Sequence, residues 1–204
     1  MKQTTVFFTS LFLSIMFAWQ ASGQNTAMQK AFAASYVSEY AGNIAKAIED
    51  IKAAHQSNSY ETNIRLGWLY YAAKNYTESA KYYKSAVDLM QMSIEAKLGY
   101  VLPLSALAKW DEIVQIYKDI LKIDTYNSTV NYRLALIYYN RKDYTTAKIY
   151  IDNAVNTYPF DYDIVILAAW TYQMVGKREA ARVLFEKALL LRPNDASALE
   201  GLKN

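Results

Sequence analysis

Residues Tyr162 to Asp195 read YDIVILAAWTYQMVGKREAARVLFEKALLLRPND. An apolar segment around Leu167, Ala168, Ala169 and Tyr172 is followed by Gly176. A second apolar segment passes through Ala181, Phe185 and Ala188, and Pro193 closes the stretch. The apolar positions recur at helical spacing, and Gly after one run and Pro after the other are helix stop signals. The stretch predicts a helix, a turn, a second helix and a stop within 34 residues.

Steps of 34 residues back from Tyr162 land on Ser128, Ile94 and Tyr60, and equivalent places carry equivalent chemistry. The seventh and eighth places read Leu66-Gly67, Tyr100-Val101, Leu134-Ala135 and Ala168-Ala169, and the eleventh reads Tyr70, Leu104, Tyr138 and Tyr172. These places share one helical face. In the second helix the twentieth, twenty-fourth and twenty-seventh places read Ser79-Tyr83-Ala86, Ile113-Tyr117-Ile120, Ala147-Ile151-Ala154 and Ala181-Phe185-Ala188. Small residues let neighbouring helices approach, and the larger side chain between them fills the gap. The last place, independent of the apolar register, reads Ser59, Ser93, Asn127, Asp161 and Asp195, with Asn25 one step earlier. All are favoured helix N-caps, so the period is physical as well as compositional.

The pattern closely resembles the tetratricopeptide repeat family. The resemblance covers four units, 60–93, 94–127, 128–161 and 162–195, and a degenerate helix pair at 24–59. In that pair Ala33 and Tyr36 keep register, while Ala47, Ile51 and Ala54 fit after a shift of two residues beyond a turn at Gly42-Asn43. The resemblance implies an all-α fold, a right-handed α-solenoid of antiparallel helix pairs in a TPR-like superhelix. It also implies a scaffold for protein–protein interaction. Departures are visible: the closing Pro occurs only at Pro159 and Pro193, and the Trp often found at the fourth place is absent. Pro103 falls inside a first helix, where it removes a backbone hydrogen bond and clashes with the preceding turn, predicting a kink or break near Leu102.

Composition narrows the function. Nine Gly and Pro positions against 53% hydrophobic residues fit long helices with short turns better than disorder. A net charge of +3 with both signs interspersed leaves no basic stripe for nucleic acid. With no Cys there are no disulfides or thiolate sites. The single His55 builds no metal cluster and is read as a residue in the last turn of a helix, suited to the dipole there. No nucleophile elbow, metal-binding helix motif or Gly-rich loop is present, and Glu49-Asp50 and Asp111-Glu112 are adjacent rather than facing carboxylates. The reading is a protein that is not an enzyme, with no catalytic, metal or cofactor-binding residues and no cofactor.

Residues 1–23 read as a signal segment: Lys2, an apolar run from Val6 to Trp19, then Ala21-Ser22-Gly23 for cleavage. The run is short for a membrane span, so an uncleaved anchor is the alternative, and membrane attachment is expected only through this segment. The expected location is exported: periplasm, cell envelope or secreted. At the other end, 196–204 is expected to cap the last repeat through Leu199 and Leu202. Incomplete cover there raises self-association at the C-terminal end as a hypothesis.

Helical spacing assigns the second, fifth, ninth and twelfth places of each first helix to the concave surface. They read Glu61, Ile64, Trp68 and Tyr71; Glu95, Leu98, Leu102 and Ser105; Thr129, Tyr132, Leu136 and Tyr139; and Asp163, Ile166, Trp170 and Gln173. The candidate groove residues are Ile64, Trp68, Tyr71, Tyr132, Leu136, Tyr139, Ile166, Trp170 and Gln173. Aromatic residues dominate binding hot spots but are also natural core fillers, so groove and packing stand as alternatives. As groove residues they would bind another protein or peptide with apolar anchors. The Lys, Arg and Asn clamp by which some family members bind an acidic C-terminus cannot be built from the fifth and ninth places, and Arg65 and Arg133 at the sixth place are read as solvated. A structural subunit of a larger envelope assembly, joined through the ends or convex face, is the alternative function. Glycan binding is a weaker third, since stacking does not distinguish sugar from peptide.

Overall fold

A computed structural model describes residues 26–203, and the expected signal segment lies outside the described residues. Among the described residues every regular element is a helix. They are α1 (26–40), α2 (Ile44–Lys52), α3 (Tyr60–Ala72), α4 (Tyr76–Leu89), α5 (Ile94–Ala106), α6 (Trp110–Ile123), α7 (Ser128–Asn140), α8 (Tyr144–Thr157), α9 (Tyr162–Met174), α10 (Arg178–Leu191) and α11 (Ala196–Gly201). The chain forms two compact units divided between Trp110 and Asp111.

The caps explain the helix starts. Ser59, Ser93, Asn127, Asp161 and Asp195 each accept from the backbone N–H three residues on, at 2.8–3.3 Å. The turns within pairs share one geometry. Lys74, Ala108, Lys142 and Gly176, all at the fifteenth place, have φ between 55° and 78°. The next N–H in each case reaches back to the carbonyl of the eleventh place: Asn75 to Tyr70, Lys109 to Leu104, Asp143 to Tyr138 and Lys177 to Tyr172, at 2.9–3.0 Å. This is the left-handed helix stop, formed here mostly without glycine. In the first pair Gly42 (φ 76°) does the same job two residues later, matching the shifted second helix.

A fourth-place device replaces the missing Trp. Asn63 donates to the carbonyls of Ser57 and Ser59, and Asn131 to those of Thr125 and Asn127, at 2.7–3.1 Å. Lys97 reaches the Gln91 carbonyl in the same way. All three are buried, and each ties down the turn before its own helix.

In the N-terminal unit, Ala47, Ile51, Leu66, Leu69 and Tyr70 form one core, edged by Phe32, Ile48 and Tyr82. The buried Tyr83 ring lies against Gly67 of α3 and Gly99 of α5, so closely that a Cβ would stand 2.8 Å and 2.3 Å from ring atoms. That burial pushes its hydroxyl up to about 12. In the C-terminal unit, α7, α8 and α9 enclose Ala135, Ile151, Ala154, Ile164, Leu167 and Ala168. The next layer holds Val165, Ala169, Ala181, Phe185, Ala188 and Ala198. All twelve second-helix places named above are buried, and full burial of a ring such as Phe185 contributes roughly 1.5–3 kcal/mol.

Several expectations change. The expected break does not occur: α5 continues through Pro103, which lies near its C-terminal end between the buried Val101 and Leu104. The last layer is capped by the buried Ala198 and Gly201 and by Leu202, which packs against it as expected, whereas Leu199 is 42% exposed. Gly201 is needed because Phe185 occupies the space of its missing side chain. In α1 the buried residue is Ser35, while Ala33 and Tyr36 are exposed. His55 lies beyond the end of α2, hydrogen-bonded to Thr62 Oγ1 at 2.9 Å and edge-on to Tyr82. Burial and then the charge of Lys52 hold its pKa below the usual value.

Candidate partner-binding face

The stripe residues of the N-terminal unit come together on α3. Ile64 and Tyr71 are half-buried, and Trp68 is 41% exposed. The Trp68 and Tyr71 rings are 6.1 Å apart, and Tyr71 lies 5.7 Å from Tyr76 at the start of α4. Trp68 is held by its edge: its indole N–H donates to Glu39 Oε1 at 2.7 Å. The other Glu39 oxygen pairs with Arg65 at 2.6 Å. Arg65 also donates twice to Ser35 Oγ, and its guanidinium lies 4.0 Å from the Tyr36 ring centre.

Arg65 is therefore buried, at 6% exposure, where solvation was expected. Its partners Ser35, Tyr36 and Glu39 all lie on α1, the least regular part of the repeat pattern, so no spacing signal pointed to them. Burial pushes the Glu39 carboxyl up, and the hydrogen bonds from Trp68 and Arg65 with the Arg65 charge bring it below its ordinary value. Arg133, the other sixth-place arginine, is exposed as expected.

In the C-terminal unit the stripe is more deeply engaged. Tyr132, Leu136 and Tyr139 are half-buried against the first core cluster, and Tyr139 meets Tyr144 edge-on at 5.2 Å. Ile166 and Trp170 pack against the second cluster, and Gln173 is half-buried beside them. Trp170 stands edge-on to Phe185 at 5.0 Å and donates its N–H to Ser197 Oγ at 2.8 Å. A cavity of about 400 Å³ opens at the starts of α7 and α9, with Ser128, Thr129 and Tyr132 on one side and Tyr158, Asp161 and Asp163 on the other.

No group of three or more His, Cys, Asp or Glu placed to hold a metal occurs among the described residues, and none of their helices is long and apolar enough to cross a membrane. Asp111 is 95% exposed and pairs with Arg141, while Asp50 is tied to Lys46 and Ser38.

Helix pairs joined by left-handed turns, capped at every repeat and packed in chain order within each compact unit, define an α-solenoid repeat fold. Two stretches, residues 60–89 and 130–161, match tetratricopeptide repeat family models. The chain carries tetratricopeptide repeats. Among solved structures, it is similar to MamA at 18% identity, covering 82% of this chain and 92% of that one with a TM-score of 0.71. It is similar to a tetratricopeptide repeat protein from Parabacteroides merdae at 18% identity, covering 87% and 71% with a TM-score of 0.74. It is also similar to YrrB, described as having an unusual peptide-binding site, at 15% identity, covering 91% and 97% with a TM-score of 0.71. At these identities the likeness establishes the fold. None of the curated proteins matches the sequence. The fold is one of protein-interaction scaffolds, typically non-catalytic.

Proposed function

We propose that the protein is an exported, non-catalytic scaffold that holds a partner polypeptide against the first-helix face, in or near the cell envelope. The observation that carries this is Trp68: a large ring, 41% exposed, fixed by Glu39 beside Tyr71 rather than folded into the core. A rigid, partly open aromatic with its N–H already satisfied loses little freedom on binding, which suits a hot spot with apolar anchors on the partner. Export rests on the reading of residues 1–23 as a signal segment.

A second reading, a structural subunit joined through the second-helix face, is favoured by one feature. A cleft of about 510 Å³ between α8, α9 and α10 is lined by Val155, Tyr172, Val183 and Leu184, with Val183 62% exposed. A photo-crosslinking amino acid placed at Tyr71 or at Val183 in living cells separates the two. The scaffold reading expects capture of a defined partner from position 71, lost in Trp68→Ala. Capture from position 183 alone contradicts it.

A further inference from the structure

The first place of a repeat shows what one site in the C-terminal unit lacks. Tyr60 stands at that place in its unit. Its hydroxyl meets Ser93 Oγ, the residue that closes the unit, at 2.8 Å and donates to Glu95, the second residue of the next, at 2.9 Å. Tyr162 stands at the same place in the last unit. Its hydroxyl sits against Asp195, which closes that unit, and the Arg192 guanidinium lies 3.5 Å from its ring centre. Two units thus use a phenol to join the start of a first helix to the next cap.

In the two units between, the first places are Ile94 and Ser128, and Ser128 is too short to make that join. The equivalents of Ser93 and Glu95 are Asp161 and Asp163, and the space the phenol would fill is the cavity of about 400 Å³. Tyr132 and Tyr158 supply ring surface, and Arg133 also lines the cavity. Burial and then the Asp163 charge raise the Tyr132 pKa, consistent with that carboxylate facing the same space. Asp163 also meets Arg192 at 3.6 Å, and Asp161 caps α9.

We propose that this cavity receives a tyrosine side chain of the bound partner, its ring standing where Tyr60 and Tyr162 stand in their own repeats and its hydroxyl donating to Asp163. The inference rests on the first-helix face being the partner face. A phenol suits the lining better than its rivals. A phenylalanine would cover the carboxylate without supplying a donor. A guanidinium would meet the cation of Arg133, which lines the cavity, and would compete with Arg192 for Asp163. An incoming aromatic ring meets the Tyr132 and Tyr158 rings and offers its face to Arg133, as Tyr162 does to Arg192.

The test is an amide NMR titration of the full chain with N-acetyl-tyrosinamide, N-acetyl-phenylalaninamide and N-acetyl-argininamide. The proposal expects saturable shifts at Thr129, Asp161, Asp163 and Ile164 with the tyrosine probe, about tenfold weaker binding of the phenylalanine probe, and weaker binding of the arginine probe. Ser128→Tyr supplies the missing phenol from within and should abolish the response. Asp163→Asn, at an exposed position, should weaken the tyrosine probe and leave the phenylalanine probe unchanged. No saturable response, equal binding of the phenylalanine probe, tighter binding of the arginine probe, or tyrosine binding indifferent to both substitutions overturns the proposal. These outcomes concern the cavity alone, so a failure here leaves the crosslinking result at position 71 standing, and loss of that crosslink leaves the cavity result standing.

Discussion

Trp68 and Trp170 occupy the same ninth place of their repeats, and they are used differently. Trp170 reaches forward: its N–H goes to Ser197 of the closing helix α11 and its edge meets Phe185, so it joins the last core layer. Trp68 reaches back: its N–H goes to Glu39 of α1, and 41% of its surface stays open. The place in the repeat sets the helix face the side chain leaves from, and the residues opposite set both its direction and its burial. At the twenty-fourth place of its own unit Trp170 has Phe185, whereas Trp68 has Tyr83, already clamped between Gly67 and Gly99. One tryptophan completes the core while the other keeps part of its ring open to solvent.

The comparison can be broken most sharply by truncation. Trp170→Ala should cost about 3–5 kcal/mol, as for ring removal from a core. Trp68→Ala should cost only about 1–2 kcal/mol, since less of its area is buried. Urea melts read by far-UV circular dichroism check both values, and equal losses would erase the distinction.

Glu39→Gln comes next. Breaking a buried ion pair by removing one partner costs about 3–5 kcal/mol, and 22% exposure of Glu39 reduces this to about 2–3 kcal/mol through solvent screening. The sign with pH follows from the lowered carboxyl: its contribution is complete above the unfolded pKa and is lost as pH falls through the depressed folded value. Stability of the wild type should therefore drop in the acid range by more than that of Glu39→Gln. Parallel pH profiles would show that the Glu39 carboxylate does not hold Trp68 and Arg65.

The repeat pattern was legible where its chemistry is local. The caps at Ser59, Ser93, Asn127, Asp161 and Asp195 use side chains three residues from their targets, and the second-helix ring and small residues recur at fixed places. Longer-range pairings were not legible. Arg65 finds Ser35 and Glu39 some thirty residues earlier, on a helix whose own repeat signal is weak. Asn63, Lys97 and Asn131 replace an expected Trp by reaching carbonyls six residues back, a rule that follows from no helical period. The cavity had a readable trace: the first places run Tyr60, Ile94, Ser128, Tyr162, and Ser128 is the short one.

The smallest effect sharpens the turn geometry shared by both units. Lys74 and Lys142 hold left-handed backbone at φ 60° and 62°, and Ala108 does so at φ 55°. Replacing Lys142 by Gly should stabilise by about 0.5–1 kcal/mol, because a Cβ is disfavoured there. Calorimetry should show a rise in Tm, and a fall would mean the Lys142 side chain holds the turn.

Trp68 is the centre of the proposed partner face. Once the partner captured from position 71 is in hand, titration calorimetry of that partner against wild type and Trp68→Ala measures its contribution. A hot-spot residue of this kind contributes about 2 kcal/mol or more, so Kd should rise about thirtyfold in a variant whose circular dichroism is unchanged. An unchanged Kd would contradict the assignment of this face to partner binding.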